Sequence, residues 1–272
     1  MKQTKKIGIV GFGNMGQAIA QKLKLDYEIY VFDKDQNKTS NTSGVIICHG
    51  IEDVLSTADL IILAVKPQDF SILLDTIKAF GRSKLVISIA AGISTSFIEN
   101  RLDAGARVVR VMPNMPAKIG QGMSCLCKGK SAKEEDIEIA EKVFKHLGKA
   151  MILDEEMMYA ATAISGSGPG YLCEFIELNG SDPLKIEKFK ADLEEAAKDI
   201  GFSRDAAVEL VETTTSGTLK MLKRGDLTPS QLKEQVTSKG GTTEAGLKEW
   251  HKKGSLADAV KAAWQRAKEL SK

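Results

Sequence analysis

The first 155 residues alternate short apolar runs with segments whose apolar residues recur at helical spacing. The runs are rich in Val and Ile, which is typical of strands buried on both faces of a parallel sheet. They lie at 7–10, 28–32, 45–48, 60–65, 85–89 and 107–112, and the helical segments lie at 15–23, 72–80, 94–102 and 131–145, the last with Ser131 as its expected cap. Repeated strand and helix units predict an α/β fold with a doubly wound parallel sheet.

From residue 156 onwards the strand pattern stops, and only helical spacing remains. Apolar residues recur with a helical period over 184–200, and Ser203, Thr228 and Ser255 precede three further helical segments. The pattern predicts two domains, a sheet domain over 1–155 and an all-helical domain over 156–272. Because a few long helices form a poor closed core, we expect the helical domain to dimerise.

Composition narrows the functional classes. Lys and Arg number 38 against 36 Asp and Glu, so the net charge of +2 offers no large basic field and argues against nucleic-acid binding. The longest apolar run, 60–65, is too short to cross a membrane. Four scattered cysteines suit no disulfide framework, so we expect a cytoplasmic protein with reduced thiols and no metal site. Cys125 and Cys127 are interpreted as two half-buried thiols of one strand.

A glycine-rich turn joins the first strand to the first helix. It consists of Gly11, Phe12, Gly13, Asn14, Met15 and Gly16. Gly11 permits the tight turn, Gly13 lets the backbone approach a pyrophosphate, and Gly16 allows close packing of the helix on the strand. The helix N-terminus would present free N–H groups to the phosphates. Residues 1–155 are therefore predicted to form a Rossmann domain that binds a dinucleotide; the alternative is a strand-to-helix turn with no ligand.

The residues after the second strand bear on the choice of cofactor. Asp33 ends this strand, where an acidic side chain accepts from the ribose hydroxyls of NAD. Lys34 follows at once, and a cation there suits the 2′-phosphate of NADP. The predicted cofactor is NADPH or NADH, and the simpler interpretation of both residues is a solvated loop.

Two further segments follow strands at the sheet edge where ligands bind in open α/β folds. Their small residues and Pro-fixed turn are expected to line the nicotinamide pocket. They are Ala64, Val65, Lys66 and Pro67 after the fourth strand, and Ala90, Ala91 and Gly92 after the fifth. Lys66 is either a functional cation or a turn former before Pro67.

Two glycine-rich motifs stand out in the helical half. Residues 165–171 contain three glycines, which helix propensity disfavours, so either a ligand or a tightly packed helix approaches their backbone. Residues 237–243 form a glycine turn that runs into a helix, and their amides and hydroxyls predict an anion site suited to a small carboxylate. The alternative is a plain helix cap at Thr242 or Thr243.

The histidines carry no recognisable catalytic spacing. His49, His146 and His251 fit neither a metal site nor a triad, and each is interpreted as a surface or packing residue. Hydride addition to a C=N bond needs less help from a general acid than addition to a ketone, because an imine can enter already protonated. A nicotinamide enzyme of this kind suits an imine substrate.

These motifs together resemble pyrroline-5-carboxylate reductase. The resemblance rests on 11–16, 65–67, 165–169 and, most specifically, 236–247, in the family's order over nearly the whole chain. It implies NAD(P)H-dependent reduction of 1-pyrroline-5-carboxylate to L-proline, the last step of proline biosynthesis. It also implies a helical domain intertwined with its twofold mate in a homodimer, often assembled into larger rings, with a site shared between subunits.

The resemblance also implies roles for individual residues. The substrate carboxylate would be held by Ser238, Gly240, Gly241, Thr242 and Thr243. Ser238 and Thr243 would be the catalytic residues, with Thr243 hydrogen-bonded to the ring nitrogen. The nicotinamide and its ribose would lie against 64–67 and 90–92, and the pyrophosphate would lie under Asn14 and Met15.

Three features depart from the family's pattern. Lys239 stands where the family usually has Pro, and Gly170 stands where Ala is usual. Residues 179–190 look inserted into a normally continuous helical stretch, with turn signals at 179–180 and 182–183. Lys239 affects the predicted anion site, residues 179–190 affect the packing of a helix expected to dimerise, and no active-site motif is lost.

Other classes fit parts of the pattern. A different imine reductase or a β-hydroxyacid dehydrogenase has a similar two-domain plan, but the second type carries a catalytic Lys after the domain junction. No Lys occurs between 165 and 178. A nicotinamide-sensing regulator would bind the cofactor and would not need the anion site predicted at 237–243.

Overall fold

The computed structural model describes residues 6–40, 42–80, 84–103 and 105–271. The chain divides into two compact units. Of the described residues, the first unit comprises those within 6–111 and 126–155, and the second comprises Met112–Cys125 and Glu156–Ser271. Residues 112–125 therefore cluster with the helices of the second unit, although they precede the end of the sheet in sequence.

An eight-stranded sheet runs through the first part of the chain. Its strands are β1 (Lys6–Val10), β2 (Glu28–Phe32), β3 (Ile46–Ile47), β4 (Leu60–Leu63), β5 (Leu85–Ser88), β6 (Arg107–Pro113), β7 (Gly122–Lys128) and β8 (Gly148–Ile152). They are ordered β3-β2-β1-β4-β5-β6-β7-β8, and the pairings that join β1 to β6 are parallel. This confirms the predicted α/β fold with a doubly wound sheet.

The strand register brings four carboxyl ends to one edge of the sheet. Val10 pairs with Phe32 on one side and with Leu63 on the other, and Leu63 pairs with Ser88. The loops after β1, β2, β4 and β5 therefore leave the sheet side by side. All the candidate cofactor residues belong to these loops or to the helix turn that follows β1.

The sheet differs from the sequence prediction at its edges. β3 is shorter than predicted, and Ile46 and Ile47 are 44% and 43% exposed because the strand lies at the sheet margin. The sequence pattern does not predict β7 or β8. Gly, Ser and Cys interrupt the β-propensity of β7, and β8 is partly exposed, so neither has the aliphatic run of a central strand. Cys125 and Cys127 of β7 are fully buried rather than half-buried.

Five helices accompany the sheet. They are α1 (Asn14–Leu23), α2 (Ile51–Thr57), α3 (Phe70–Ile77), α4 (Thr95–Leu102) and α5 (Glu134–Phe144). Aliphatic side chains of β4 and β5 pack against α2, α3 and α4 in one buried cluster. Ser94 caps α4 as expected, whereas Lys133 rather than Ser131 caps α5, because the Asp136 carboxylate accepts from the Lys133 N–H at 2.9 Å.

The second unit is helical. Its helices are α6 (Met157–Ala161), α7 (Gly168–Asn179), α8 (Pro183–Asp199), α9 (Arg204–Lys223), α10 (Pro229–Val236), α11 (Thr242–Lys253) and α12 (Leu256–Glu269), with a π-helical turn at Thr162–Gly166. Ser203, Thr228 and Ser255 cap α9, α10 and α12, as the sequence predicts. Gly180 has a φ of 77° and separates α7 from α8, which confirms the predicted turn. No helix of the described residues is long and apolar enough to span a membrane.

Candidate functional site

The turn between β1 and α1 is shaped by three glycines with different surroundings. Gly11 has a φ of 98°, and a Cβ there would lie 2.6 Å from the Ala64 carbonyl. A Cβ on Gly16 would lie 2.2 Å from the Gly11 carbonyl oxygen, so both positions are closed to side chains. A Cβ on Gly13 would meet no atom of the described chain within 4 Å. Gly13 is the N-cap of α1, and open space therefore lies over amide groups that have no intrahelical acceptor.

The Asp33 side chain binds the backbone of this turn. Its carboxylate is buried and accepts from the Phe12 N–H at 2.6 Å, the Asp35 N–H at 2.8 Å and the Lys38 ammonium at 3.2 Å. Burial raises the pKa of Asp33, but these hydrogen bonds outweigh burial and hold its pKa below the usual value. The Asp33 carboxylate is ionised and already engaged by the chain. Sequence reasoning missed Lys38, whose signal was its place as the second cation after the strand, four residues beyond Lys34.

A cavity of about 520 Å³ opens beside the turn, at the carboxyl edge of the sheet. Of the predicted cofactor residues it is lined by Gly11, Gly13, Asp33, Lys34, Ala64, Val65 and Lys66. Lys38, together with Ile72, Leu73 and Thr76 of α3, completes much of the wall. Cations, a free helix N-terminus and apolar side chains thus meet in one cavity, which suits a dinucleotide.

The other predicted cofactor residues do not line this cavity but belong to the same loops and to the start of α1. Phe12 is fully buried and contributes its backbone to the turn. Asn14 is the first residue of α1, and Met15 and Gly16 follow it in the first helical turn. Pro67 starts a 3-10 turn that Lys66 precedes in extended conformation, so Lys66 lines the cavity and also serves the turn. Ala90, Ala91 and Gly92 follow β5, where Gly92 has a φ of 72°.

Three hydroxyl groups of the second unit lie close together at the first turn of α11. Thr243 is 3% exposed, and its Oγ1 donates to the Ser167 Oγ at 3.2 Å. The Ser167 Oγ also lies 3.1 Å from the Thr242 Oγ1. A Cβ on Gly241 would lie 2.2 Å from the Ser238 Oγ, so the absence of a side chain lets Ser238 fold over the helix start. The predicted Ser238, Thr242 and Thr243 are therefore brought together.

The two glycines of this loop have engaged backbone groups. The Gly240 N–H donates to Glu244 at 2.7 Å, its carbonyl accepts from Arg266 Nε at 2.8 Å, and the Gly241 N–H donates to the Ser238 carbonyl at 2.9 Å. Gly241 is the N-cap of α11, so the alternative of a cap at Thr242 or Thr243 is wrong. We call residues 237–241 the anion loop. The N–H groups of Thr242 and Thr243 follow it in the first helical turn, where no intrahelical acceptor exists.

The glycines of 165–171 serve close packing within the second unit. A Cβ would lie 2.8 Å from the Met112 side chain if placed on Gly166 and 2.9 Å from Thr214 if placed on Gly168. Ser165 is fully buried and accepts from the Asn114 amide at 3.1 Å, while the Asn114 side-chain oxygen accepts from the Met123 N–H at 2.9 Å. Sequence reasoning missed Asn114, because its partners are distant in sequence.

Other reactive side chains lie outside these clusters. Burial raises the pKa of Cys127 and of Cys173 to about 12, so both remain protonated thiols. His146 contacts backbone carbonyls of α5, and His251 binds Glu174, which agrees with packing roles. Within the described residues, no group of three or more His, Cys, Asp or Glu is placed to hold a metal ion.

Both parts of the chain match known protein families. A family model described as pyrroline-5-carboxylate reductase dimerisation matches residues 155–270, and one described as NADP oxidoreductase, coenzyme F420-dependent, matches residues 6–92. The pyrroline-5-carboxylate reductase of Methanosarcina acetivorans is 34% identical over 290 residues, covering 99% of each chain.

Solved structures agree with this result. A pyrroline-5-carboxylate reductase from Coxiella burnetii has a TM-score of 0.67 at 30% identity, covering 99% of this chain and 100% of that chain. The Plasmodium falciparum pyrroline carboxylate reductase, solved with NADP bound, has a TM-score of 0.65 at 29% identity and covers 100% of both chains. These similarities confirm the predicted reaction, nicotinamide cofactor and dimerising helical domain. Because they extend over the full length, the chain belongs to the pyrroline-5-carboxylate reductase family of NADP-dependent oxidoreductases.

Proposed function

We propose that the hydroxyl cluster at the start of α11 binds the carboxylate of 1-pyrroline-5-carboxylate, and that the cavity beside β1 binds the nicotinamide cofactor. The buried Thr243–Ser167 hydrogen bond is the observation that carries the first assignment. It orients two hydroxyls toward a helix N-terminus, whose amides and positive dipole favour an anion. Ser238, Gly240, Gly241 and Thr242 complete the proposed substrate site.

The cofactor assignment is supported by the shape of the turn after β1. The backbone packs tightly at Gly11 and Gly16, whereas the space beside Gly13 is free. A pyrophosphate needs such free space over the N-terminus of α1. We assign Phe12, Asn14 and Met15 to the same pyrophosphate site. The segments Ala64–Pro67 and Ala90–Gly92 are assigned to the nicotinamide and its ribose.

Charge at the far end of the cavity favours NADPH over NADH in this proposal. Asp33 is engaged by two backbone N–H groups and by Lys38, so its lone pairs are largely committed before a ribose arrives. Lys34 is largely exposed and bonds Asp69 at 3.0 Å. Lys34 and Lys38 are the two cations that we assign to the 2′-phosphate of NADPH.

The proposed chemistry requires little proton transfer from the chain. The bound cofactor supplies a hydride, which adds to the carbon of the C=N bond. The nitrogen keeps the proton with which the iminium form enters. The Thr243 hydroxyl donates to Ser167, so its oxygen retains lone pairs that can accept from the ring N–H and fix the ring. Thr243 and Ser238 are thus the proposed catalytic residues, acting by orientation.

Higher assembly and location are also proposals. The match to a dimerisation model over 155–270 supports a homodimer formed by the helical domain that we assign to 156–272, next to a dinucleotide-binding domain over 1–155. We propose a larger ring of dimers, which light scattering would detect as a mass above that of the dimer. Cys48, Cys127 and Cys173 are free thiols, which supports a reducing cytoplasmic location.

The experiment that tests the function follows NADPH and NADH oxidation with 1-pyrroline-5-carboxylate as substrate. Wild-type protein should oxidise NADPH faster than NADH. Thr243→Val should lower kcat/KM about tenfold, the cost of about 1.4 kcal/mol of lost hydrogen bonding, and should leave NADPH binding unchanged. Thr243→Ser, which keeps the hydroxyl, is the matched control. Equal activity of Thr243→Val and wild type would remove Thr243 from the mechanism.

A further inference from the structure

Helix α7 lies against both helices that border the anion loop. A Cβ on Gly170 would lie 2.6 Å from Cγ2 of Thr243 and 3.2 Å from Cγ2 of Val236. Val236 is the last residue of α10, and Thr243 belongs to the first turn of α11. The backbone of α7 therefore touches the chain on both sides of the loop.

Glu174 lies one turn further along the same face of α7. Its side chain is buried, and its two oxygens accept from different helices, from Lys233 Nζ at 2.6 Å and from His251 Nε2 at 2.6 Å. Lys233 belongs to α10 and His251 to α11. A single carboxylate thus connects the helix that ends at the anion loop to the helix that begins there.

The negative charge of the Glu174 carboxylate strengthens both of its hydrogen bonds. Burial raises the pKa of Glu174, but the hydrogen bonds from Lys233 and His251 outweigh burial and hold its pKa below the usual value. Hydrogen bonds to an ionised carboxylate are about twice as strong as those between neutral groups. The carbonyl of Lys233 also accepts from the Thr237 hydroxyl at 2.7 Å, which links Lys233 to the first residue of the anion loop.

Support at the ends of the anion loop adds to the hydrogen bonds that Gly240 makes with Glu244 and Arg266, and it matters because glycine-rich backbone has many accessible conformations. The loop contains two consecutive glycines, and Gly240 has a φ of 70°. It contains no proline, so no ring locks any of its φ angles. The positions of Ser238 and of the first turn of α11 therefore depend on how the ends of α10 and α11 are held.

We propose that Glu174 is a positioning residue for the substrate, acting through Lys233 and His251 to hold the two ends of the anion loop at the spacing that carboxylate binding requires. This inference rests on the proposed carboxylate site. Glu177 supplies the internal comparison, because its carboxylate also binds Lys233. Glu174 contacts α10 and α11 together, whereas Glu177 binds Lys233 of α10.

The test compares steady-state constants of Glu174→Gln and Glu177→Gln in the full-length enzyme. Glu174→Gln should raise the KM for 1-pyrroline-5-carboxylate about fivefold or more, the lower end of typical coupling between linked sites. It should leave the KM for NADPH unchanged and change kcat less than about twofold, because the hydride donor and the reacting bond are untouched. Glu177→Gln should keep both KM values near those of the wild type.

Two further variants make every outcome decisive. The His251 side chain is 58% exposed, so His251→Ala should fold even if Glu174→Gln does not, and it should raise the same KM. Ser238→Ala tests the carboxylate site independently. If Ser238→Ala raises the substrate KM while Glu174→Gln and His251→Ala leave it unchanged, the positioning role is wrong and the site stands. If Ser238→Ala has no effect, the site and the positioning role both fail. Equal increases in Glu174→Gln and Glu177→Gln would also overturn the proposal.

Discussion

Gly13 and Gly16 occupy the same turn and meet opposite constraints. Gly16 faces the Gly11 carbonyl so closely that any side chain would overlap backbone, whereas Gly13 faces open space. Gly13 also has a φ of −75°, which any residue adopts. The fold therefore does not explain its lack of a side chain, which agrees with the pyrophosphate site that we propose there.

Valine at each position separates these two tasks. Gly16→Val should lower the free energy of unfolding by about 3 kcal/mol or more, because backbone cannot move aside as a side chain does. Gly13→Val should change it by about 1 kcal/mol or less and should abolish NADPH binding. Urea unfolding and titration calorimetry measure the two quantities. Normal NADPH affinity in a folded Gly13→Val protein would contradict the pyrophosphate assignment.

Helix α7 illustrates how an element is fitted to its neighbours. Its N-terminal glycines oppose helix propensity, but each one faces another helix so closely that an added Cβ would force a neighbouring side chain to shift. Gly170 lies against the methyl group of Thr243, and the hydroxyl of the same Thr243 binds Ser167. The position of α7 and the orientation of Thr243 are thus coupled.

Gly170→Ala tests this coupling. Alanine improves helix propensity by about 1 kcal/mol, and the added Cβ, 2.6 Å from Thr243 Cγ2, costs about 1–3 kcal/mol of overpacking. We expect a net effect on the free energy of unfolding between zero and a loss of about 2 kcal/mol. The KM for 1-pyrroline-5-carboxylate should rise about threefold, because Thr243 must rotate away from Ser167.

A second substitution provides the control for this prediction. Thr243→Ser removes the methyl group and keeps the hydroxyl, so adding Gly170→Ala to it should cause no further rise in KM. An equal rise in both backgrounds would show that the Cβ acts elsewhere than on Thr243. Steady-state kinetics of the four proteins measure the difference.

At the scale of the whole molecule, each compact unit contains a buried carboxylate with a lowered pKa. Burial raises the pKa of Asp33 in the first unit and of Glu174 in the second, and hydrogen bonds and cations lower each below its ordinary value of 3.8 or 4.5. A group that binds its proton more weakly when folded stabilises the fold while it is ionised.

The stability of the protein should therefore fall in acid. The contribution of both groups is complete above their ordinary pKa values and is lost as the pH falls below 4.5 and 3.8 toward the lower folded-state values. Urea midpoints between about pH 3 and pH 7 measure it. Asp33→Asn should flatten the acid side of the profile, whereas Asp75→Asn, at an exposed ion pair with Arg101, should not. An unchanged slope in Asp33→Asn would contradict the role of Asp33.

The sequence by itself determined the class of fold, the turn after β1, the caps of α9, α10 and α12, and the family. These features depend on local properties, namely hydrophobic period, glycine spacing and capping residues, which neighbouring residues reveal. It left out β7 and β8, because their mixed and partly exposed residues lack the apolar run of a buried strand.

Only the tertiary structure decided the polar partnerships. Lys38 neutralises Asp33, Asn114 binds Ser165, and Glu174 joins residues 59 and 77 positions away. No hydrophobic period encodes such pairs: the Asp33–Lys38 pair depends on the path of one loop, and the other pairs form when packing brings distant polar groups together. The same packing decided that Gly16 faces the Gly11 backbone and that Gly13 faces open space, a difference that the spacing of the motif does not show.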